Sequence, residues 1–498
     1  MTEPGTRGTG THQLRPDLRV AVIGGGASGV MVAARLLDRC CGRVQVTVVD
    51  TRGDLGAGVA YGTTDPDHLL NVAAAAMSAD PARSCDFVRW VEAEGLGDAT
   101  TFVARRDYRR YLLAHLRRTA ALQGCEFPEL RQGTATAVHR SGSDLVVTLE
   151  GGGVLVADAV VVATGNPPPA VPAELGPLEG RAAWVPDPWA PGALSSPGPL
   201  RSVVLVGTGL TMVDVAITLA GRLTDGARGA DDLAPMVAYS RSGLLPERHV
   251  SGLLRSSATS APVDLATAAA HVAQLATSRV RDGSQQSPDD WRPVIDGLRP
   301  HVNDLWRDAP VAEQARFRSS SLRTWEVLRH RMSPSTAARY DELVRSTTLR
   351  TGAGRVRSIE AGDAGRVLVQ LELDDSVLEI DADLVVNCTG PGRSWEPPAN
   401  PLVVDLIQSG LARPDPHGLG IDCDRHGRLR DADGCTQSDL FAIGPPRRGS
   451  DLETTAVPEL RVQADQIARA LMAEWAISGE IEGPGVVDGR WSPRSESN

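Results

Sequence analysis

The sequence predicts an α/β fold of two doubly wound units, one inserted into the other, and three observations carry that prediction. Residues 19–50 run as an apolar strand (Val20 to Ile23), a glycine turn (Gly24-Gly25-Gly26-Ala27-Ser28-Gly29), a stretch with helical spacing, and a second apolar strand ending in Asp50. Residues 202–216 repeat this form: Gly207 and Gly209 stand where Gly24 and Gly26 stand, with Met212 in the place of Gly29. Two further apolar runs, at 159–163 and 384–388, each close on a Thr-Gly pair, Thr164-Gly165 and Thr389-Gly390. Strand, glycine turn, helix, strand is the unit of an open parallel sheet, and its recurrence predicts two such sheets.

In the first turn, Gly24 permits the tight bend, Gly26 lets backbone approach a pyrophosphate, and Gly29 lets the helix lie close on its strand. The helix start at Ala27 and Ser28 offers phosphates its free N–H groups and the positive end of its dipole. Asp50 lies 21 residues beyond Gly29, where a carboxylate accepts bonds from both ribose hydroxyls. An unphosphorylated ribose such as that of FAD fits this site. The second turn, Gly207-Thr208-Gly209-Leu210-Thr211, leads to a strand at 236–239 that ends in Ser240-Arg241 with no acid. A hydroxyl and a guanidinium suit a 2′-phosphate, which a carboxylate would repel, so NADPH is expected there. The reading is thus of two Rossmann-like dinucleotide-binding domains. An FAD domain is split in sequence (18–185 and 381–478). An NADPH domain (200–380) is inserted into it and carries a helical insertion at about 251–345. Residues 1–17 and 479–498 are expected to be poorly ordered.

Composition narrows the function classes. At 498 residues two or three domains are expected, and 42% apolar with 23% charged residues is globular composition. A net charge of −11 argues against nucleic acid or an anionic membrane surface as a partner. No run of about 18 uncharged apolar residues exists to span a membrane, and the polar N-terminus has no secretion signal. The seven cysteines form no C-x-x-C or C-x4-C pair, which speaks against a disulfide framework, a metal site or a dithiol redox centre. A cytoplasmic chain with reduced thiols is expected. All 51 basic residues are arginine. The absence of lysine excludes a Walker-A loop, a Schiff-base lysine and a pyridoxal enzyme.

Along the chain, residues 53–62 are too glycine-rich for a helix or a packed strand. They are expected to run along the cofactor, bringing Gly58 and Tyr61 to it. Residues 68–78 continue toward the flavin ring with Asn71 and Met77. Helical patterns follow at 85–94 and 107–122, then a hairpin at 135–157 around Gly151-Gly152-Gly153. Pro167-Pro168-Pro169 takes the chain out of the first domain. The insertion carries Arg329-His330-Arg331, which face either a substrate carboxylate, the NADPH phosphates or plain solvent. Residues 355–380 alternate like paired strands. Near the end, a strand and turn at 439–449 contain Gly444, and a helix to about residue 477 opens at Pro458 and Glu459. Its N-terminus, aimed at the flavin N1–O2 edge, would stabilise the negative charge that appears there on reduction.

Three segments resemble a bacterial FAD/NAD(P)-binding family: Gly56-x-Gly58-x-Ala60-Tyr61-Gly62 with Leu70-Asn71-Val72 and Met77-Ser78; Gly207 to Asp214; and Glu453-Thr454-Thr455-Ala456-Val457-Pro458-Glu459-Leu460-Arg461. That family includes FAD-dependent urate hydroxylases and nitrosuccinate-forming aspartate N-monooxygenases of natural-product biosynthesis. Where the family carries two arginines after the second strand, this sequence has Arg241 and Ser242. The resemblance implies a flavin monooxygenase that forms a C4a-hydroperoxide from NADPH and O2 and transfers oxygen to a small polar metabolite, with an amine or amino-acid nitrogen the preferred acceptor. It makes Asn71 the catalytic candidate, because an amide both donates and accepts hydrogen bonds over a wide pH range. Arg329, Arg331 and Arg447 are candidate substrate carboxylate clamps, with Arg393 and Arg448 behind them. Two other readings stay open: a reductase or oxidase without oxygen transfer, and a non-catalytic FAD-binding scaffold. The missing cysteine pair excludes a dithiol reductase.

Overall fold

A computed structural model describes residues 18–40, 42–195, 198, 200–223, 234–249, 264–282, 291–373, 376–392 and 400–475. Two parallel-cored sheets form its two units. The first has six strands in the spatial order Arg428–Arg430, Thr436–Ala442, Ala159–Val162, Leu18–Ile23, Val44–Asp50, Glu129–Gln132. All its neighbours are parallel except the first two. Leu18–Ile23 and Ala159–Val162 are almost wholly buried, which is why they read as unbroken apolar runs. One face packs against the helices Ala27–Cys40, Arg105–Leu122 and Val457–Glu474. The other packs against the helix Pro401–Gln408 and a three-stranded antiparallel sheet. That small sheet corrects the expected hairpin at 135–157. It has strands Ala135–Ser141, Asp144–Leu149 and Val154–Ala157, with the first turn at Gly142. Residues 53–62 likewise contain one helical turn, Gly58–Tyr61, where none was expected.

The second sheet has seven strands, ordered Ser376–Ala382, Val367–Leu373, Leu349–Ala361, Met236–Ser240, Val203–Val206, Leu384–Asn387, Trp184–Val185. Its membership moves both domain boundaries. Trp184–Val185 and Leu384–Asn387 pair with each other and belong to this sheet, not to the first. The crossings therefore lie just after the two Thr-Gly pairs, near residues 166–170 and 388–392. There the two connecting strands bind one another: the Gly392 N–H donates to the Pro168 carbonyl at 3.0 Å and Asn387 Nδ2 to the Ala170 carbonyl at 3.2 Å.

Side chains join the two units. Arg105 Nη2 reaches Asp214 Oδ2 at 2.6 Å, and buried His68 bonds the Thr218 hydroxyl at 2.9 Å, which in turn donates to Asp65. The insertion is helical over its described part and has its own core of Trp306, Phe317, Trp325 and Leu328. It docks on the last part of the first unit. Arg299 makes a two-pronged pair with Glu459 (2.7 and 2.6 Å), Trp306 Nε1 donates to the Gly449 carbonyl, and Trp325 Nε1 donates to Glu453. Among the described residues no helix is long and apolar enough to cross a membrane, and no cluster of side chains is set to hold a metal.

Candidate functional site

The first glycine turn is constrained from every side. Gly24 has φ +117°, and a Cβ there would sit 2.2 Å from the Ala163 carbonyl oxygen; one on Gly29 would sit 1.9 Å from the Gly24 carbonyl oxygen. The turn is locked to the second strand, since the Gly24 N–H donates to the Val49 carbonyl and the Gly25 N–H to Asp50 Oδ2 at 2.9 Å. Asp50 is thus held beside the turn, its other oxygen taking the Arg52 N–H. The helix Ala27–Cys40 begins at Ala27 and Ser28, beside this acid. The glycine segment packs on the first turn: the Gly56 N–H donates to the Gly25 carbonyl, and Gly58 faces Gly26 across a gap that a Cβ at Gly58 would narrow to 3.3 Å. Tyr61 packs on Tyr108 with ring centroids 4.7 Å apart and the rings tilted by 50°.

Thr164 and Gly165 close the neighbouring strand on the same edge. Thr164 Oγ1 and Asn166 Oδ1 are buried without a hydrogen-bond partner, two polar atoms waiting for a ligand group. Met77 is buried, and its loop is pinned by Tyr108, whose hydroxyl donates to the Met77 carbonyl, by Tyr111, which accepts the Ala79 N–H, and by Arg461 on the Ser78 carbonyl. Gly444 has φ +74°, a Cβ there would meet Ser28 Oγ at 2.8 Å, and its N–H donates to Gln463. The last helix, Val457–Glu474, has no side-chain cap; its first turn carries Pro458, which has no N–H, and the Glu459 N–H donates to the Ala456 carbonyl at 3.1 Å, so the turn offers a partner chiefly the positive end of its dipole. Glu459 in that turn is engaged by Arg299. These residues fit an adenine dinucleotide with a flavin ring: glycines where backbone must come close, a ribose acid, orphan polar atoms and the positive ends of helix dipoles.

The second turn repeats the first in outline. Gly207 has φ +117° and its N–H donates to the Tyr239 carbonyl at 2.6 Å. Gly209 is the N-cap of the helix Leu210–Ala220, which has no side-chain cap, and a Cβ on Gly209 would meet nothing within 4 Å, so the phosphate approach at Leu210 and Thr211 is open. Met212, in place of the third glycine, is fully buried. The Thr208 and Ser240 hydroxyls bond each other at 2.7 Å, while Arg241 is exposed with no partner among the described residues. A free guanidinium beside two hydroxyls suits a phosphate.

Asn71 lies on the seam between the units. Its side-chain amide has no hydrogen bond to a described residue, whereas its backbone carbonyl accepts from His249 Nε2 at 2.9 Å. His249, from the loop after the Ser240 strand, was not singled out in the sequence, where a lone histidine in a loop carries no signal. Burial, with Arg331 nearby, pushes it down to about 4.

The three candidate clamps part company. Arg331 is 1% exposed and holds Asp296 with both terminal nitrogens (3.1 and 2.9 Å), its Nε bonding the Leu328 carbonyl. Arg447 is fully buried and paired with Asp451 at 2.8 Å. Both pair with a carboxylate inside the protein, and Nε and Nη1 of Arg447 are buried without a hydrogen-bond partner. Arg329 differs. It is 6% exposed, its nearest carboxylate is Glu453 at 3.8 Å, and its Nε and Nη2 are buried with no hydrogen-bond partner. Burial and the adjoining Arg299 lower its pKa. Beside it His330 is pushed down to about 3 by burial and by Arg329, Arg299 and Arg448, so this seam is electropositive around a neutral imidazole. Arg393 lies outside the described residues.

With this geometry in hand, the fold is that of the two-dinucleotide-binding-domain flavoproteins. Residues 21–167 match the model of a family described as FAD-NAD(P)-binding. Over 92% of this chain, the fold matches 99% of L-lysine 6-monooxygenase from Pseudomonas syringae at TM-score 0.62 and 17% identity. The same coverage holds for ornithine N-hydroxylase from Kutzneria sp. 744, solved with reduced FAD, NADP+ and L-ornithine (TM-score 0.62, 16% identity), and for ornithine hydroxylase from Pseudomonas aeruginosa (0.60, 16%). No curated protein matches the sequence.

Proposed function

We propose that this protein is an FAD- and NADPH-dependent monooxygenase that hydroxylates the nitrogen of a small amine or amino acid. The observation that carries the reading is the placement of Asn71. A free amide stands on the seam between a unit built for FAD and a unit built for NADPH, in a chain without a C-x-x-C or C-x4-C pair to serve a dithiol reductase. The likeness in fold to lysine and ornithine N-hydroxylases supports the choice of nitrogen as acceptor, although fold alone does not fix a reaction.

Asp50 and the first turn hold the FAD ribose and pyrophosphate. Arg241, Ser240 and the second turn hold the phosphates of NADPH. A bound flavin would supply hydride acceptance from NADPH and activation of O2 for transfer to a nucleophile. The N-terminal end of the dipole of the helix Val457–Glu474 would stabilise negative charge at the flavin edge. Asn71 donates to and accepts from the reacting oxygen atoms without changing charge. The insertion docks on Glu453 and Glu459 through Arg299 and Trp325, beside the start of the helix Val457–Glu474. Arg329 takes the substrate carboxylate, the one acceptor its two buried N–H-bearing nitrogens lack, so the substrate class favoured is an amino acid over a simple amine.

The test is a panel of amino acids and their decarboxylated amines, measuring NADPH and O2 consumed, H2O2 released and hydroxylamine formed. Hydroxylated product from a carboxylate-bearing amine is expected. NADPH oxidation that yields only H2O2 across the panel would replace this reading with an oxidase. Asn71→Ala should keep FAD yet shift most of the consumed NADPH to H2O2; unchanged coupling would remove Asn71 from the mechanism.

A further inference from the structure

The segment that follows the NADPH-ribose strand does more than lead into the insertion. From Ser240 and Arg241 it runs in nine residues to His249, which is fixed on three sides. Its backbone N–H donates to the Met332 carbonyl at 2.9 Å, at the far end of the insertion, and the Met332 N–H returns a bond to Glu247. The preceding residue, Arg248, is held by both oxygens of Asp341 at 2.5 Å. The His249 ring packs against Phe102 of the first unit with centroids 5.2 Å apart. The ring's one hydrogen bond among the described residues, Nε2 to the Asn71 carbonyl at 2.9 Å, crosses from the NADPH unit to the flavin unit.

Because a carbonyl oxygen only accepts, Nε2 must carry the hydrogen in this contact. The ring does not need to be charged to make it. Burial first and Arg331 next disfavour the imidazolium; the bond to the Asn71 carbonyl and Asp296 favour it and Arg292 again opposes it, and the balance leaves the ring neutral with its hydrogen on Nε2. A neutral donor held by a rigid backbone fixes the peptide that carries the Asn71 side chain without adding charge beside a hydride and oxygen site.

We propose that His249 is a positioning residue for oxygen transfer: its Nε2–H holds the Asn71 carbonyl, and so the direction of the Asn71 amide, from the domain that binds NADPH. This rests on the role given above to Asn71. It places control of that amide on the nicotinamide-binding unit, so the same segment that reads the 2′-phosphate at Arg241 sets the group that guards the oxygen. A histidine serving only to fill space beside Phe102 would have no such consequence.

Two variants separate the donor from the ring. His249→Phe keeps the ring volume and the packing on Phe102 but removes the donor. His249→Gln loses the ring but can place an amide N–H near the Nε2 position. The quantity read is hydroxylated product per NADPH consumed, a ratio that does not depend on how fast NADPH is oxidised. The expected result is a several-fold fall in that ratio for His249→Phe, with matching H2O2, and recovery of most of it in His249→Gln. Hydrogen–deuterium exchange of the peptide spanning residues 69–78 gives a second readout that needs no substrate: faster exchange in His249→Phe and wild-type exchange in His249→Gln. Full coupling in His249→Phe, or equal losses in both variants, overturns the proposal. If the wild type itself gives only H2O2, the monooxygenase reading fails, and the exchange pattern still decides whether His249 holds the Asn71 loop.

Discussion

Arg329 shows how one unpaired group carries more information than several charged ones. Three arginines near the seam look alike in sequence, and the difference between them is hydrogen-bond accounting. Arg331 and Arg447 each pair with a carboxylate inside the protein, Asp296 and Asp451; Nε and Nη1 of Arg447 are buried without a partner, as are two nitrogens of Arg329, but Arg329 alone of the three has no carboxylate in hydrogen-bonding range. A buried donor left without an acceptor costs about 1–3 kcal/mol. Such a cost is tolerated where a ligand relieves it. Arg329→Ala is therefore expected to raise KM for carboxylate-bearing substrates by at least about tenfold, the scale of a charge-assisted hydrogen bond. KM for the matching decarboxylated amine should change little. Equal effects on both, in steady-state assays of product formation, would show that Arg329 supports the seam and does not touch the carboxylate.

At the scale of elements, the glycine turns were the most legible feature because backbone sterics leave few alternatives. A turn that brings a helix start onto a strand end requires φ near +117° at Gly24 and again at Gly207, and only glycine reaches that conformation cheaply. What sits after the second strand follows the same logic, since an acid and a cation at a ribose have opposite preferences. Arg241 is exposed and without a described partner, so its loss should cost binding and not folding. Arg241→Ala is expected to raise KM for NADPH roughly ten- to a hundredfold, a charge-assisted bond's worth, with NADH nearly unchanged. Parallel changes for both nucleotides would move the 2′-phosphate elsewhere. The less legible elements are those whose identity depends on a distant partner. Trp184–Val185 is two residues long and exists as a strand only because Leu384–Asn387 lies beside it, so the boundary near 185 was drawn too late in the chain. The third strand of the small sheet was lost in a hairpin reading because Gly151-Gly152-Gly153 is a stronger local signal than Gly142. Arg299 pairing with Glu459, and Arg105 with Asp214, join residues 160 and 109 positions apart, and no local pattern announces them.

Across the whole molecule, the seam and the domain contacts bury titratable groups in ways that give stability two separate acid limbs. His249 and His330 are held neutral, pushed down to about 4 and about 3 by burial and nearby arginines. An unfolded histidine binds a proton near pH 6.5. Below that pH the unfolded chain takes up protons that the folded chain refuses, so stability falls as pH drops from about 6.5, and the fall ends only once the folded histidines also titrate. Each contributes up to about 2 kcal/mol between pH 6.5 and 5. The carboxylates act lower down. Asp465, bonded by Arg39, Arg469 and Arg35, is held near 2 despite its burial, and Asp86 is held well below its ordinary range, against its own burial, by His115 and Arg118. Their stabilisation is complete above about pH 3.9, where unfolded aspartate is ionised, and is lost as pH falls from there through the folded values. The urea midpoint should therefore drop measurably from pH 7 to pH 5, before any of these carboxylates protonates, and drop again below about pH 4. In His330→Gln the first limb should become shallower and the second should stay as it is, because the substitution removes one histidine and no acid. A first limb of unchanged slope in that variant would mean that His330 is charged in the folded protein, and the electropositive seam proposed around Arg329 would then have to be abandoned.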